Sequence, residues 1–158
     1  VIVANHMLYH VPDLARALAE LRRVLRPGGR LVAVTNGARH MWEMKALRRE
    51  LAAQFGLPLG RAAGFELPFR LENGRSLLEP WFETVTLVPF ADSLRVTEAA
   101  PLVAYALSAE EALANLDAAQ RAAIEQWVAE KLAAAGGVLE IQKAVGMFIA
   151  QKADKEVS

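Results

Sequence analysis

Apolar and polar positions along this chain follow three different rhythms, and each predicts a different element. Val1-Ile2-Val3-Ala4 is apolar on both faces and gives way to Asn5-His6, the pattern of a buried parallel strand whose carboxyl end opens on a crevice. Pro12-Asp13 then starts a helix. Its Leu14, Leu18, Leu21 and Leu25 fall at i, i+4, i+7 and i+11 on one stripe, with Arg16, Glu20 and Arg23 off it. Arg26-Pro27-Gly28-Gly29 stops the helix, and Leu31-Val32-Ala33-Val34 is again apolar without alternation before Thr35-Asn36-Gly37. Strand, helix and strand within the first 36 residues make a βαβ unit, which implies parallel strands and a right-handed crossover.

Farther along, Met44, Leu47, Leu51 and Phe55 share one side of a helix expected from Met41 to Phe55, closed by Gly56. Residues 56–75 mix glycine, proline and aromatics without a steady period and read as an irregular, partly helical loop able to close over a site. Ser76 to Trp81 reads as a helical turn. Val85 and Leu87 alternate with Thr84 and Thr86 in a strand from Glu83 to Phe90, where Pro89 favours an edge position. Ser93 to Thr97 reads as a short return strand, Pro101 to Ser108 as a helix, and Ala109 to Ala135 as one or two more, closed by Gly136-Gly137. Val138 to Lys152 is strand-like, with Gly146 expected to mark a turn or bulge between Leu139-Glu140-Ile141 and Met147-Phe148-Ile149.

Composition narrows the class. The chain has 158 residues, 54% of them hydrophobic and 23% charged, enough to bury one sizeable core. Eighteen Lys plus Arg balance eighteen Asp plus Glu with no dense basic run, which argues against a nucleic-acid partner. The absence of Cys removes disulfides, thiolate metal sites and cysteine nucleophiles, and fits a reducing, cytoplasmic setting. No apolar run approaches the roughly 20 residues needed to cross a bilayer, so no membrane partner is expected. The apolar opening without a polar lead-in reads as though the domain were entered part-way, as in a cleaved, shortened or mis-started chain.

The stretch Ala4-Asn5-His6-Met7-Leu8-Tyr9-His10-Val11-Pro12-Asp13, followed by Arg23-Val24-Leu25-Arg26-Pro27-Gly28-Gly29, closely resembles the fourth-strand to fifth-strand segment of class I S-adenosylmethionine-dependent methyltransferases. Leu78-Glu79-Pro80-Trp81-Phe82 and Gly146-Met147-Phe148-Ile149-Ala150 are compatible with that family's sixth and seventh strands. The resemblance implies an α/β fold: the C-terminal half of a Rossmann-like methyltransferase sheet, with parallel strands four and five, an antiparallel final strand and helices on both faces. In the family's sheet order the seventh strand lies between the fifth and the sixth. On this reading residues 1–158 are a partial methyltransferase domain without the N-terminal cofactor-binding half. The glycine turn, the ribose-binding acid and the adenine-binding residues of the family have no counterpart here. Gly56, Gly60 and Gly64 do not replace them, because no strand precedes them.

Asn5, His6 and Met7, at the end of the fourth strand, are by resemblance the contacts to the methionine part of S-adenosyl-L-methionine. Weak or no binding of that cofactor is expected of this chain alone. His6, His10 and His40 all follow strand ends; His10 is the candidate base or acceptor contact. Alignment of the acceptor against the sulfonium methyl supplies most of the catalysis, and a base is needed only for hydroxyl-type acceptors. Each histidine reads equally well as a hydrogen-bonded turn residue. His6 and His10 stand four residues apart, but neither a third ligand nor a helical frame accompanies them, so no metal is expected. Asn36, His40, Trp42 and Tyr105 are candidates to bind a small-molecule acceptor. Phe65 and Phe69 join them as aromatics that serve either a pocket or the core.

Two other readings compete. In one the chain is a non-catalytic fragment or interaction module that binds no cofactor by itself. In the other it is the rear half of a different doubly wound nucleotide enzyme, such as a dehydrogenase, which the paired Leu8–Asp13 and Arg26–Gly29 motifs disfavour. A strand four without its usual neighbour implies self-association or pairing with an N-terminal fragment.

Overall fold

The computed structural model describes residues 1–57, 67–108 and 116–154. Two units are resolved within it: 1–40 with 67–92 and 143–154, and 41–57 with 93–108 and 116–142. Among the described residues no helix is long and apolar enough to cross a membrane.

The first unit is built on the predicted βαβ element. Strand β1 (Ile2–Asn5) leads through a 3-10 turn (Leu8–His10) into helix α1 (Leu14–Val24), and strand β2 (Arg30–Asn36) returns parallel to β1, pairing Ile2 with Leu31 and Asn5 with Val34. Asp13 caps α1 by accepting from the Arg16 amide at 2.9 Å, which satisfies one of the helix's free N-terminal donors. Leu18 and Leu25 of the leucine stripe are buried, and Leu14 and Leu21 pack beside them.

Strand β3 (Thr84–Val96) and strand β4 (Leu139–Gln151) complete a four-stranded sheet in the order β1-β2-β4-β3, with β4 antiparallel to β2. The last strand therefore lies between its two predecessors, as the resemblance implied. Ladder partners share a face, so Ala4, Ala33, Phe148, Leu31 and Ala150 form one apolar surface. It packs with Leu18 and with Leu78 of helix α3 (Gly74–Leu78). Thr35, fully buried on that face, donates its hydroxyl to the Phe69 carbonyl at 2.8 Å. Lys152 is buried as well, and its ammonium donates to the Leu25 carbonyl at the end of α1 at 2.9 Å.

The second unit holds helix α2 (Trp42–Phe55), helix α4 (Ala99–Leu107) and helix α5 (Ala118–Ala134). Met44, Leu47 and Leu51 bury against Leu102, Val103 and Ala106 and against Ile124, Val128 and Leu132. Asp117 and Gln120 cap α5 reciprocally, each side chain accepting from the other's amide.

Several expected boundaries change. Glu83–Phe90 and the separate return strand at Ser93–Thr97 are one strand, β3, because β4 accompanies it along both stretches: Lys143 donates to Asp92 at 2.6 Å, and Arg95 lies 3.7 Å from Glu140. Gly146 marks neither a turn nor a bulge. It pairs with Thr35 inside the ladder, and a Cβ there would meet Leu71 at 2.9 Å and Leu87 at 3.1 Å, so close packing accounts for the glycine. Pro89 does lie on an edge strand. The turn expected at Ser76–Trp81 begins earlier, at Gly74, and α4 begins at Ala99. The stretch 109–115 of the expected Ala109–Ala135 helices lies outside the described residues, as do 58–66 of the expected irregular loop.

Candidate functional site

The carboxyl ends of β1 and β2 lie side by side, because the two strands are parallel and in register. Asn5 pairs with Val34, and Asn36 follows Val34 by two, so Asn5 and Asn36 share the face opposite the buried Ala4-Ala33-Phe148 surface. Open α/β sheets bind ligands at this end. His6 leaves β1 in a left-handed conformation with φ of 53°, and its amide donates to the Val34 carbonyl at 3.0 Å. This pins the turn to the end of β2. A non-glycine residue at positive φ is strained, and the inter-strand bond helps to hold it.

Asn5, His6, Met7 and His10 are all exposed, Met7 at 57%. Leu8 is buried and anchors the 3-10 turn that carries His10. Tyr9 stands between the two histidines, its ring 6.2 Å from His6 edge-on and 4.6 Å from His10. Burial holds the Tyr9 hydroxyl above the usual phenol value, so it stays a proton donor at neutral pH.

Asn36 is the informative polar group on the β2 side. Its Oδ1 is buried and accepts no hydrogen bond from the described residues, a state that costs about 1–3 kcal/mol unless a donor arrives. Its backbone carbonyl accepts from the Leu71 amide at 3.2 Å. Just beyond, Glu72 accepts from the Ala38 amide at 2.9 Å and lies 3.8 Å from Arg70. Tyr9, Arg70 and Glu72 were not singled out from the sequence. Tyr9 hid within the resemblance motif, and Arg70 and Glu72 lie in the stretch without period, where only the geometry brings them to the end of β2.

The other candidates divide between the units. His40 is half-buried in the turn after β2, its amide donating to the Gly37 carbonyl at 3.0 Å. Trp42 and Tyr105 belong to the second unit. Trp42 opens α2 with Arg49 5.2 Å from its ring centre, and the Tyr105 hydroxyl lies 3.7 Å from the Met41 sulfur. Phe69 is not a pocket aromatic: it is fully buried in the first unit's core, edge-on to Phe148 at 5.6 Å. Phe65 lies outside the described residues.

The carboxyl ends of β1 and β2 thus carry amides and imidazoles, with one carboxylate nearby. Such a set can orient a polar ligand and take up a proton. Residues 1–33 match a family model described as a methyltransferase domain. That match begins in β1, passes through the 3-10 turn and α1, and ends in β2. The methyltransferase resemblance of the Asn5–Asp13 turn and the Arg26–Gly29 stop lies wholly inside it.

Similar solved structures include a putative methyltransferase from Bacillus halodurans C-125, 15% identical, with a TM-score of 0.49 and 96% of this chain and 68% of that one covered. Phosphoethanolamine N-methyltransferase 2 of Haemonchus contortus, solved with S-adenosylhomocysteine, is 14% identical, with a TM-score of 0.42 and 96% and 32% covered. The [4+2]-cyclase SpnF is 16% identical, with a TM-score of 0.43 and 97% and 50% covered. The chain therefore spans about a third of the Haemonchus enzyme and half of the cyclase. No curated protein matches the chain significantly.

Proposed function

We propose that this protein takes part in S-adenosylmethionine-dependent methyl transfer to a small-molecule acceptor, with the carboxyl ends of β1 and β2 as this chain's part of the site. The observation that carries the reading is the coincidence of the family match at residues 1–33 with the strand-turn-helix-strand that builds these strand ends. When bound, the cofactor supplies an electrophilic methyl group on a sulfonium centre. The chain's residues fit its polar end: Asn5 and His6 stand at the end of β1, and the buried Asn36 Oδ1, without a donor among the described residues, can accept from an ammonium or hydroxyl.

His10 is assigned the acceptor side, where it takes a proton from a hydroxyl-type nucleophile, and Tyr9 holds its ring in place. In this scheme Asn36 orients the ligand, and most of the rate comes from alignment. Radiolabelled methyl transfer by the whole natural protein tests the reading, with His10→Ala compared against His6→Ala. His10→Ala is expected to lower kcat about 100-fold with little change in cofactor affinity. His6→Ala is expected to act mainly on affinity. Equal, small effects of both on turnover and affinity would make the histidines mere turn residues. A whole protein that neither binds the cofactor nor transfers its methyl overturns the function itself.

A further inference from the structure

The second unit contains a half-open cavity of about 300 Å³ that the proposed methyl transfer does not use. Its walls are Leu47, Leu102, Val128 and Leu132, all buried core residues, and the space exists because the neighbouring wall positions are the small Ala46 and Ala135. Trp42 stands at the rim and Leu139 of β4 closes one side. At the roughly 30 Å³ that a water molecule occupies in the liquid, the volume holds about ten non-hydrogen atoms.

Three titratable groups face it, and their arrangement defines the ligand. Glu43 of α2 is engaged, since its Oε2 accepts from the Gln142 amide at 3.0 Å. Glu50 of α2 and Lys131 of α5 form an ion pair, and the Lys131 ammonium also lies 4.8 Å from the ring centre of Trp127. From α4 and β4 come only Leu102 and Leu139. A charged ligand would have to compete with one member of this half-exposed pair for the other. A hydroxyl does not: its oxygen accepts a hydrogen bond from the ammonium, which has donors to spare, and its O–H donates one to the carboxylate.

We propose that this cavity is a binding site for a compact apolar molecule bearing a single neutral hydroxyl, a phenol or an aryl-substituted alcohol. The inference stands apart from the methyl-transfer reading, because every residue it uses lies in the second unit. The hydrocarbon body replaces water against leucine and valine, which is the main source of affinity, and the Glu50–Lys131 pair fixes its orientation.

The test titrates the full chain with 4-propylphenol, with propylbenzene and 4-propylbenzoate as comparisons. The readout is the three tryptophan indole N–H resonances. Trp42 at the rim and Trp127 beside Lys131 are expected to shift saturably with 4-propylphenol, while Trp81, in the first unit's core, stays still. Propylbenzene and the benzoate are each expected to bind at least about fivefold more weakly. Ala46→Trp fills the cavity and is expected to cost at least tenfold in affinity. If that variant fails to fold, Ala135→Trp, at the exposed end of α5, makes the same test. Glu50→Gln combined with Lys131→Met is expected to abolish the preference for the phenol over propylbenzene. The proposal is overturned if the phenol does not saturate, if the benzoate binds as well or better, or if both filling variants leave binding unchanged. It is also overturned if the cavity proves to hold a second copy, seen as concentration-dependent association that Ala46→Trp removes.

Discussion

Two single residues report most directly on what holds the first unit and what the ends of β1 and β2 are for. Asn36 keeps a buried oxygen without a donor among the described residues. Asn36→Ala is therefore expected to leave the chain's stability in urea unchanged or up to about 1 kcal/mol higher, while lowering methyl transfer by the whole protein. A loss of stability instead would show that the amide serves the fold. Gly74 is the opposite case. A Cβ at this position would fall inside the edge of the Phe148 ring, itself fully buried beneath α3. Gly74→Ala is expected to destabilise by at least about 2 kcal/mol, read as a fall in the urea midpoint with unchanged slope. At this scale the sequence showed which residues stand at the strand ends, since a break from apolar to polar is visible. It could not show that Arg70 and Glu72 join them or that Phe69 leaves for the core, because both depend on where an aperiodic segment is laid.

Among the elements, helices were the more legible. The leucines of α1 and the Met44-Leu47-Leu51 side of α2 announce their faces, and both helices follow closely the ranges their stripes predict. The start of α5 rests on local chemistry: Asp117 and Gln120 satisfy each other's free amides. Asp117→Ala is expected to cost the chain about 1 kcal/mol, seen as a lower melting temperature together with faster hydrogen exchange in the first turn of α5. An unchanged exchange rate there would mean that packing of Ile124 and Val128 alone sets the helix start. Strands were less legible. Pro89 pointed to an edge, where it lies, but Gly146 looked like punctuation and yet sits inside a 13-residue strand. A glycine is kept where side chains crowd from both sides, a circumstance not visible until the neighbouring strand is known.

Taken whole, the sheet begins on β1, and that edge is apolar: Val1 and Val3 are 85% and 60% exposed. An open, apolar strand edge invites further strands, so the 158-residue chain is expected to self-associate, with a mass by light scattering that rises with concentration. Val3→Lys should suppress this. A well-dispersed monomer at high concentration would refute the expectation. The same chain is expected to bind S-adenosylmethionine no more tightly than about 0.1 mM, because neither β1 nor β2 leads through a glycine-rich turn into a helix. Calorimetry finding micromolar affinity would show that another surface is used. The strand order β1-β2-β4-β3 could not be read from residue patterns; only the family resemblance implied it, since pairing between segments a hundred residues apart leaves no local mark. That order also has a temporal consequence. During synthesis β3 emerges from the ribosome well before β4, yet β4 is the strand that joins it to β2, and Lys152 just beyond it closes the end of α1. The nascent chain must therefore carry β3 unpaired, and β2 with one edge open, through the making of α4 and α5, and the first unit can finish only after β4 has emerged, a delay typical of distant pairings. That interval is when a chaperone has most to do.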